Sequence, residues 1–474
     1  MSQSAYANGE DIKQFYAKHA AQSSYDDIQK QYREKLTTPE KAVKVIKSGD
    51  WVDYGFFNGY PKALDRELAK RRDELHDVHI RSGISLPPLP EVPQSDPTLE
   101  HFQWDSWHFG AFDAQLADKG MASFSPLLYH EVPDYYRKHE VEVDVAMLRV
   151  TPMDQYGYFN FGINTSHLEA ICENAKIVIL EENANMPWVY GYRGQHVHIS
   201  DVDYVVRGDN ELMAGPKVLQ PTEAEKKISQ YLMENIHDGC CIQLGIGGLP
   251  NYLGKQIAAA GLKDLSAHTE MLADAYYEMW KAGCLSGRKK EIDRGQIVCS
   301  FALGSQELYE FMDRNPQVQC AAVDYTNNPF VISKISNFRS INAGLEVDFY
   351  GQVASEMQGS RQITGTGGQW DFVYGAYHSQ GGMSFICMPS TYKAKDGTIQ
   401  TKVKPLLTTG AACTVSRQMT HKIVTEYGVA DMKCQSVWKR TEALIDIAHP
   451  QFRDELIGEA QKLGFWHRTN KIEA

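Results

Sequence analysis

The residues best suited to chemistry are a glycine-rich turn and a single glutamate that follows it. The turn reads Leu-Gly-Ile-Gly-Gly-Leu-Pro over residues 244–250, and Glu270 stands in the segment His-Thr-Glu-Met over residues 268–271. Glycines adopt positive φ angles without strain and let a ligand approach the backbone closely. Backbone N–H groups at a helix start can bind a phosphate, a carboxylate or a developing oxyanion. The pair is therefore typical of a carboxylate nucleophile beside a cradle of backbone donors.

Each of these two features also has a plain structural explanation. The turn has neither the Lys-Ser/Thr of a Walker A loop nor the GxGxxG fingerprint, so it can be a simple tight turn. Glu270 precedes apolar residues at helical spacing, from Met271 to Met279. An acid in the first turn of such a helix complements the helix dipole without doing chemistry. The local pattern leaves both alternatives open.

Two further segments could contribute to a site. The second glycine-rich segment, Thr364 to Phe372, can supply another backbone N–H to an oxyanion or form a surface hairpin loop. The lysines between Met388 and Gly397 can pair with a phosphate or belong to a solvated turn.

The histidines of the first half are the remaining candidates for chemistry. A strand over residues 196–198 would place two imidazoles on one face, but no acidic or cysteine partner stands at a supporting spacing. We therefore expect structural histidines and no metal site. The histidines considered are His101, His108, His130, His196 and His198.

Helical and strand patterns alternate along both halves, which predicts an α/β fold with largely parallel sheets. Two segments, Gly49 to Gly55 and Gly239 to Gly245, have the same predicted order of elements. Each follows a helix and consists of a glycine that ends the helix, a strand, and a turn at a second glycine. Thr222 and Glu225 predict a capping box for the second of these helices. Residues 208–216 read as a linker. Ligands of such sheets bind in turns beyond the carboxyl ends of strands, and residues 245–249 form such a turn.

The element boundaries that follow from these patterns are specific. Strands are predicted at 51–54, 78–80, 143–148, 176–180 and 204–206 in the first half, and at 240–244, 297–301, 321–323, 385–388 and 423–425 in the second. Helices are predicted at 39–47, 222–236, 253–260, 271–282 and 305–314.

Length and composition limit the function classes. A chain of 474 residues predicts two to four domains, and its formal net charge of −12 argues against nucleic-acid binding. The first residues show no secretory signal, and no run approaches the roughly 20 apolar residues of a membrane span. The nine cysteines are scattered without a CxxC motif, which favours reduced thiols in a cytoplasm.

Taken together, the ordered segments resemble the acetyl-CoA hydrolase/transferase family, a class of CoA-transferases that use a glutamate. The resemblance covers nearly the whole chain after about residue 25 and rests on many stretches in order, which is far more specific than any one motif. The stretches are 47–55, 157–162, 198–202, 243–250, 268–271, 323–327, 367–369 with 371–372, 425–428, and 443–445 with 447–450.

The resemblance implies two tandem CoA-transferase-like (NagB/RpiA-like) α/β domains with mainly parallel sheets and an active site between them. The implied limits are an N-terminal extension over 1–26, a first domain over 27–219 and a second domain over 220–474. Glu270 is implied to carry the covalent intermediate. The implied CoA-contacting residues are Gly245, Ile246, Gly247, Gly248, Leu249, Leu345, Gly368 and Lys395.

The implied activity is the movement of CoA between a short-chain acyl-CoA, such as butyryl-CoA, and acetate. CoA is then a substrate and product, and no cofactor is needed. Small apolar and aromatic residues near the two glycine-rich segments, including Trp370, are expected to line the acyl pocket, and the segment 56–61 is a further candidate. The alternatives are transfer to 4-hydroxybutyrate or propionate, an acyl-CoA hydrolase of the same fold, and a ligand-binding protein of sugar-isomerase-like fold. The family also suggests a homo-oligomer without nucleic-acid or membrane partners.

Overall fold

Two parallel sheets, one in each half of the chain, organise the molecule. The structure is a computed structural model, and it describes residues 24–192, 194–216 and 219–466. The predicted extension therefore lies almost wholly outside the described residues. Helix Tyr25–Lys35 begins at Ser24 with a capping box to Asp27, so it runs across the predicted limit at residue 26.

The first sheet has eight strands, all parallel to their neighbours, in the order β1-β8-β7-β6-β2-β3-β4-β5. In chain order these strands are β1 Leu36–Thr37, β2 Trp51–Phe56, β3 Val78–Gly83, β4 Phe102–Ser106, β5 Ser123–Phe124, β6 Val145–Val150, β7 Ile177–Glu182 and β8 Tyr204–Arg207.

The second sheet has six strands in the order β10-β9-β11-β12-β13-β14, and only the pair β13 and β14 is antiparallel. In chain order these strands are β9 Cys241–Leu244, β10 Ser266–Ala267, β11 Phe338–Ala343, β12 Met383–Cys387, β13 Lys422–Thr425 and β14 Gly428–Asp431. The two sheets confirm the predicted mainly parallel α/β fold.

Short strand pairs and helices complete the fold. The pairs are Tyr158–Asn160 with His196–His198, Met271–Leu272 with Phe301–Ala302, Ile297–Cys299 with Val318–Cys320, Met357–Gln358 with Arg361–Gln362, and Thr391–Lys393 with Ile399–Thr401; Glu346–Asp348 pairs with both Val353–Ala354 and Val403–Lys404. The α-helices are Tyr25–Lys35, Pro39–Ala42, Lys62–Ala69, Val92–Ser95, Ala111–Asp118, Val132–Arg137, Leu168–Asn174, Glu223–Met233, Gly248–Ala259, Asp274–Lys281, Gln306–Met312, Val323–Thr326, Pro329–Ile332, Gln369–His378, Val437–Asp446 and Pro450–Lys462.

Both faces of each main sheet are buried. Successive residues of a strand point to opposite faces. In β6, Val145 and Met147 join one apolar cluster, while Ala146 and Leu148 join another. Strands covered on both sides read as continuous apolar runs, which explains why strict alternation is missing from this sequence. Within the part of the chain that the structure describes, no helix is long and apolar enough to cross a bilayer.

Two of the predicted boundaries are wrong in a way that bears on the site. The helix predicted from Met271 begins at Asp274, because Met271–Leu272 forms a short strand beside Phe301–Ala302. The strand predicted at 321–323 ends at Cys320, and residues Val323–Thr326 form a helical turn instead. In both places a pairing with a distant segment overrides the local pattern.

The two halves pack against each other through apolar side chains. Ile163, Met186 and Val189 of the first half lie in the core of the second half. Phe301 and Val323 of the second half lie in a core cluster of the first. Functional groups from both halves can therefore meet at one buried boundary.

Candidate active site

Glu270 lies at a bend at the boundary between the two halves. It directly precedes the short strand Met271–Leu272, and its carbonyl oxygen accepts hydrogen bonds from the backbone N–H groups of Ser300 (2.8 Å) and Phe301 (3.2 Å). The nearest helix begins at Asp274. The alternative that Glu270 is an acid of a first helical turn is therefore wrong.

The carboxylate of Glu270 is held by two donors. Asn327 Nδ2 donates to Oε2 at 2.6 Å, and the backbone N–H of Gly368 also donates to the carboxylate. Burial raises the pKa of Glu270 to about 7; the two hydrogen bonds oppose this rise, and the nearby charge of Asp371 adds to it. A carboxylate with a pKa near neutral is more basic, and a better nucleophile, than an ordinary surface glutamate.

The second glycine-rich segment brings backbone directly against this carboxylate. A Cβ atom at position 368 would collide with Glu270 Oε2 and with Asn327 Nδ2, so any other residue would have to displace the groups that form the site. Gly367 has a positive φ of 53°, and helix Gln369–His378 begins immediately afterwards with Gly368 as its N-cap residue. The alternative of a surface hairpin loop is wrong.

The first half of the chain closes the site from the other side. His108 Nε2 lies 2.9 Å from Thr364 Oγ1, at the start of the second glycine-rich segment. His130 Nδ1 lies 2.6 Å from Asp371 Oδ1, in helix Gln369–His378, which begins within that segment. Burial lowers the pKa of His108 to about 4, so its ring is neutral at physiological pH. Both histidines, expected from the sequence to be structural, contact the loop and helix that flank Glu270.

Aromatic side chains form one wall beside Glu270. Phe56 and Phe57 pack on Phe301, with ring centroids 5.0 and 4.9 Å apart, and Trp107 stacks on Tyr129 at 5.2 Å. Trp370 lies parallel to the His130 ring, 6.2 Å away. Residues 56–57, predicted to be near the acyl chain, are thus buried next to the strand that holds Glu270.

The first glycine-rich turn begins beside the segment that leads to Glu270. Leu244, at the end of β9, accepts a hydrogen bond from Thr269 Oγ1 (3.4 Å) at its carbonyl and donates its N–H to Tyr276 Oη (2.7 Å). Gly247 has a φ of 119° and serves as N-cap of helix Gly248–Ala259. The Ile246 side chain is 41% exposed. The turn is therefore an open strand-to-helix connection, as its sequence predicts.

The two remaining predicted contacts lie elsewhere in the second half. Leu345 is half-buried and donates its N–H to the Ala354 carbonyl oxygen at 2.9 Å. Lys395 is exposed in the turn between Thr391–Lys393 and Ile399–Thr401. Among the described residues, neither Leu345 nor Lys395 is a hydrogen-bond partner of the Glu270 carboxylate. Their assignment to CoA stays a prediction.

The histidine pair at residues 196 and 198 serves structure. Both rings pack on Tyr158, with centroids 4.7 and 4.9 Å away, and His198 Nδ1 lies 2.8 Å from Ser200 Oγ. No group of three or more His, Cys, Asp or Glu side chains within the described ranges is arranged to hold a metal ion.

Sequence reasoning did not single out Asn327 or Asp371. Both fall within stretches that carry the family resemblance, but neither has a spacing to Glu270 that would reveal a contact. Asn327 lies 57 residues from Glu270, and Asp371 lies 241 residues from His130. Only the fold brings these side chains together.

Comparison with known proteins agrees with this architecture. Residues 18–215 match the model of the acetyl-CoA hydrolase/transferase N-terminal domain, and residues 304–460 match that of the C-terminal domain. The chain belongs to the acetyl-CoA hydrolase/transferase family. Glu270 lies between the two matched segments, so its role depends on the geometry described above.

Three relatives show how far the family similarity extends. A probable butyrate:acetyl-CoA coenzyme A-transferase from Syntrophomonas wolfei is 47% identical, over 94% of this chain and 100% of that protein. A butyryl-CoA:acetate CoA-transferase from Anaerostipes caccae is 46% identical over the same shares. The crystal structure of RipA from Yersinia pestis, 33% identical, superimposes with a TM-score of 0.84 over 93% of this chain and 100% of that chain.

Proposed function

We propose that this protein is a CoA-transferase that moves CoA between butyryl-CoA, or a similar short-chain acyl-CoA, and acetate. The observation that carries the proposal is the partly buried Glu270 carboxylate, held by Asn327 Nδ2 and the Gly368 N–H at the boundary between the two halves. Family membership and the two relatives named as butyrate:acetyl-CoA and butyryl-CoA:acetate CoA-transferases support the choice of substrates.

In the first half-reaction, a Glu270 oxygen attacks the thioester carbonyl of the acyl-CoA. The C–S bond breaks, leaving an acyl-glutamyl anhydride and CoA thiolate. The thiolate then attacks the glutamyl carbonyl, which forms a glutamyl-CoA thioester and releases the free acid. Holding the reacting groups together, with water excluded, makes a weak carboxylate nucleophile adequate for this attack.

In the second half-reaction, acetate attacks the glutamyl-CoA thioester and regenerates an anhydride and CoA thiolate. The thiolate attacks the acetyl carbonyl, so acetyl-CoA leaves and Glu270 returns as a carboxylate. Each step passes through a tetrahedral oxyanion, and one well-placed backbone donor stabilises such a species by about 3–4 kcal/mol. The candidate donors are the N–H groups of residues 247–248 and 367–368. Since every intermediate keeps an activated acyl group, the cycle needs no added cofactor.

Trapping of the glutamyl intermediate tests this mechanism. Incubation with butyryl-CoA alone, followed by borohydride reduction, should convert Glu270 to the alcohol, which peptide mass spectrometry detects. Glu270→Gln should form no such product and should lose at least about 10³-fold of transferase activity, because an amide is a far weaker nucleophile. Full transferase activity in Glu270→Gln would refute the assignment.

Acetate dependence separates transfer from hydrolysis, which the family name also includes. Butyryl-CoA should be consumed rapidly with acetate and slowly without it, with acetyl-CoA as the product. Equal rates of CoA release with and without acetate would instead identify a hydrolase. A panel of butyryl-, propionyl- and 4-hydroxybutyryl-CoA then ranks the acyl groups; one methylene changes discrimination by only about 1–3 kcal/mol.

We also propose a reducing compartment and a homo-oligomeric state. All nine cysteines are free thiols, and seven of them are buried, which suits a cytoplasm. Exposed apolar side chains such as Phe330, 70% exposed, supply surface for contacts between copies. Light scattering on the purified protein measures the mass of the assembly, and a monomer would contradict the second proposal.

A further inference from the structure

The amide that holds Glu270 is itself oriented by a second carboxylate. Asn327 Nδ2 donates to Glu270 Oε2 at 2.6 Å and lies 3.4 Å from Asp371 Oδ2. Asn327 Oδ1 is buried and has no hydrogen-bond partner among the described residues. The orientation of this amide therefore depends on the two carboxylates that its nitrogen contacts.

Asp371 is in turn held by the first half of the chain. Its side chain is fully buried, His130 Nδ1 lies 2.6 Å from Oδ1, and the His130 backbone N–H donates to Oδ2 at 3.3 Å. With Asn327, three donors surround this carboxylate, which fits the ionised state. Burial raises the pKa of Asp371, and the hydrogen bond and charge of His130 oppose that rise. We assign an ionised Asp371 paired with an imidazolium.

The groups that face His130 favour its protonated form. Burial lowers the pKa of His130, but the hydrogen bond and charge of Asp371 outweigh it, and Glu131 and Asp134 act in the same direction. The net result is a raised pKa. Trp370 covers the ring with a parallel indole at 6.2 Å. Asp371, whose negative charge raises the pKa of Glu270, thus receives its countercharge from the first half of the chain.

We propose that His130 is a positioning residue for the transfer reaction. Its imidazolium fixes Asp371 and supplies its countercharge, and Asp371 orients the Asn327 amide that holds Glu270. The inference rests on the proposed nucleophilic role of Glu270. The contact between His130 and Asp371 makes the reactivity of Glu270, which lies in the second half, depend on the packing of the first half against it.

The test is the pH dependence of kcat/KM for butyryl-CoA in the presence of acetate. In the wild type, kcat/KM should rise with pH along a limb whose midpoint is near pH 7, because the free enzyme needs an ionised Glu270. In His130→Gln, Asp371 loses its countercharge, so the limb should move to higher pH by about one unit. In Asp371→Asn the negative charge is removed, so the limb should move to lower pH by about the same amount.

Two further variants separate charge from packing. His130→Arg keeps a positive charge that can stack on Trp370, and its limb should stay within about 0.3 units of the wild type. Arg137→Gln breaks another ion pair between the halves, with Asp324 (3.1 Å), and should leave the limb unchanged. The midpoint pH of the rising limb does not depend on the amount of active enzyme, so it can still be measured if part of a variant is unfolded.

The outcomes are decisive in each direction. Opposite shifts in His130→Gln and Asp371→Asn, with His130→Arg near the wild type, support the inference. If His130→Gln and His130→Arg lose activity alike and keep the wild-type limb, His130 serves only packing and the inference is overturned. If the wild type itself yields no glutamyl adduct with butyryl-CoA, the proposed function fails first, and that result is distinct from an unmoved limb.

Discussion

The two glycine-rich segments of the second half use glycine for different purposes. At Gly245 and Gly247 an added Cβ atom would meet no other atom within 4 Å, and the Ile246 side chain between them is exposed. At Gly368 the same atom would collide with Glu270 and Asn327. The first turn leaves its backbone open to an incoming molecule, whereas the second is filled by the protein's own carboxylate. A glycine motif in the sequence therefore does not reveal whether its partner is a ligand or a side chain.

The largest expected effect is at the filled segment. Gly368→Ala should displace the Glu270 carboxylate and remove its backbone donor, lowering kcat by about 10²–10³-fold. Steady-state kinetics with butyryl-CoA and acetate measures this loss. Gly458→Ala, in helix Pro450–Lys462 with nothing near its Cβ, is the matched control and should keep wild-type kinetics. Wild-type kcat in Gly368→Ala would show that the two glycine segments do not differ as described.

The next effect concerns the stability cost of the buried carboxylate. The folded-state pKa of Glu270 is about 7, above its unfolded value, so ionisation destabilises the fold as pH rises from about 4 to 7. Glu270→Gln removes that cost and should raise the Tm by about 2–5 °C at pH 8, with little change near pH 4.5. Thermal melts at the two pH values measure this difference. Surface Glu455→Gln should change neither melt, and an equal Tm gain at both values would contradict the assignment.

A smaller effect is expected at the open turn. Gly245→Ala adds one methyl group where the free protein has room, so its Tm should match the wild type. The methyl group would stand in the space proposed for CoA and should raise the KM for butyryl-CoA about tenfold, a cost of about 1.4 kcal/mol. Unchanged KM with unchanged kcat would remove this turn from the CoA site.

The smallest effect is expected at Lys395. Its ammonium is exposed, so a phosphate bound there would stay in contact with water; Lys395→Ala should therefore raise the KM for butyryl-CoA only about threefold, and less at high salt. Lys393→Ala, two residues earlier and also exposed, is the matched control. Equal effects of both variants would mean that the segment contributes only general positive charge.

The contrast between the two segments also shows how far the sequence alone reaches. The alternation of strand and helix patterns and the capping box at Thr222 and Glu225 follow from local chemistry, and the structure has both. Residues 208–216, predicted to be a linker, form neither helix nor strand, and their role as a linker stays a prediction. Glu270 and Gly368 were identified through ordered resemblance. Local spacing alone leaves a helical acid open at Glu270 and a surface hairpin loop open at Gly368.

The features of the fold and the site that could not be predicted from the sequence depend on contacts between distant segments. Met271–Leu272 forms a strand and not a helix because Phe301–Ala302 lies beside it. The contacts of Asn327 and Asp371 with the site exist only after two chain halves have packed. Periodicity reports which face of an element is apolar, and it carries no information about which residues meet across a domain boundary.

The placement of His108 and His130 against Thr364 and Asp371 has a consequence for protein engineering. A chimera that joins the first half of one family member to the second half of another would inherit half of each of these contacts. Such a hybrid should fold in both halves and still hold its glutamate poorly, unless the facing residues are exchanged together. Recombination within this fold is therefore best planned by contact pairs across the boundary, with the crossover point chosen afterwards.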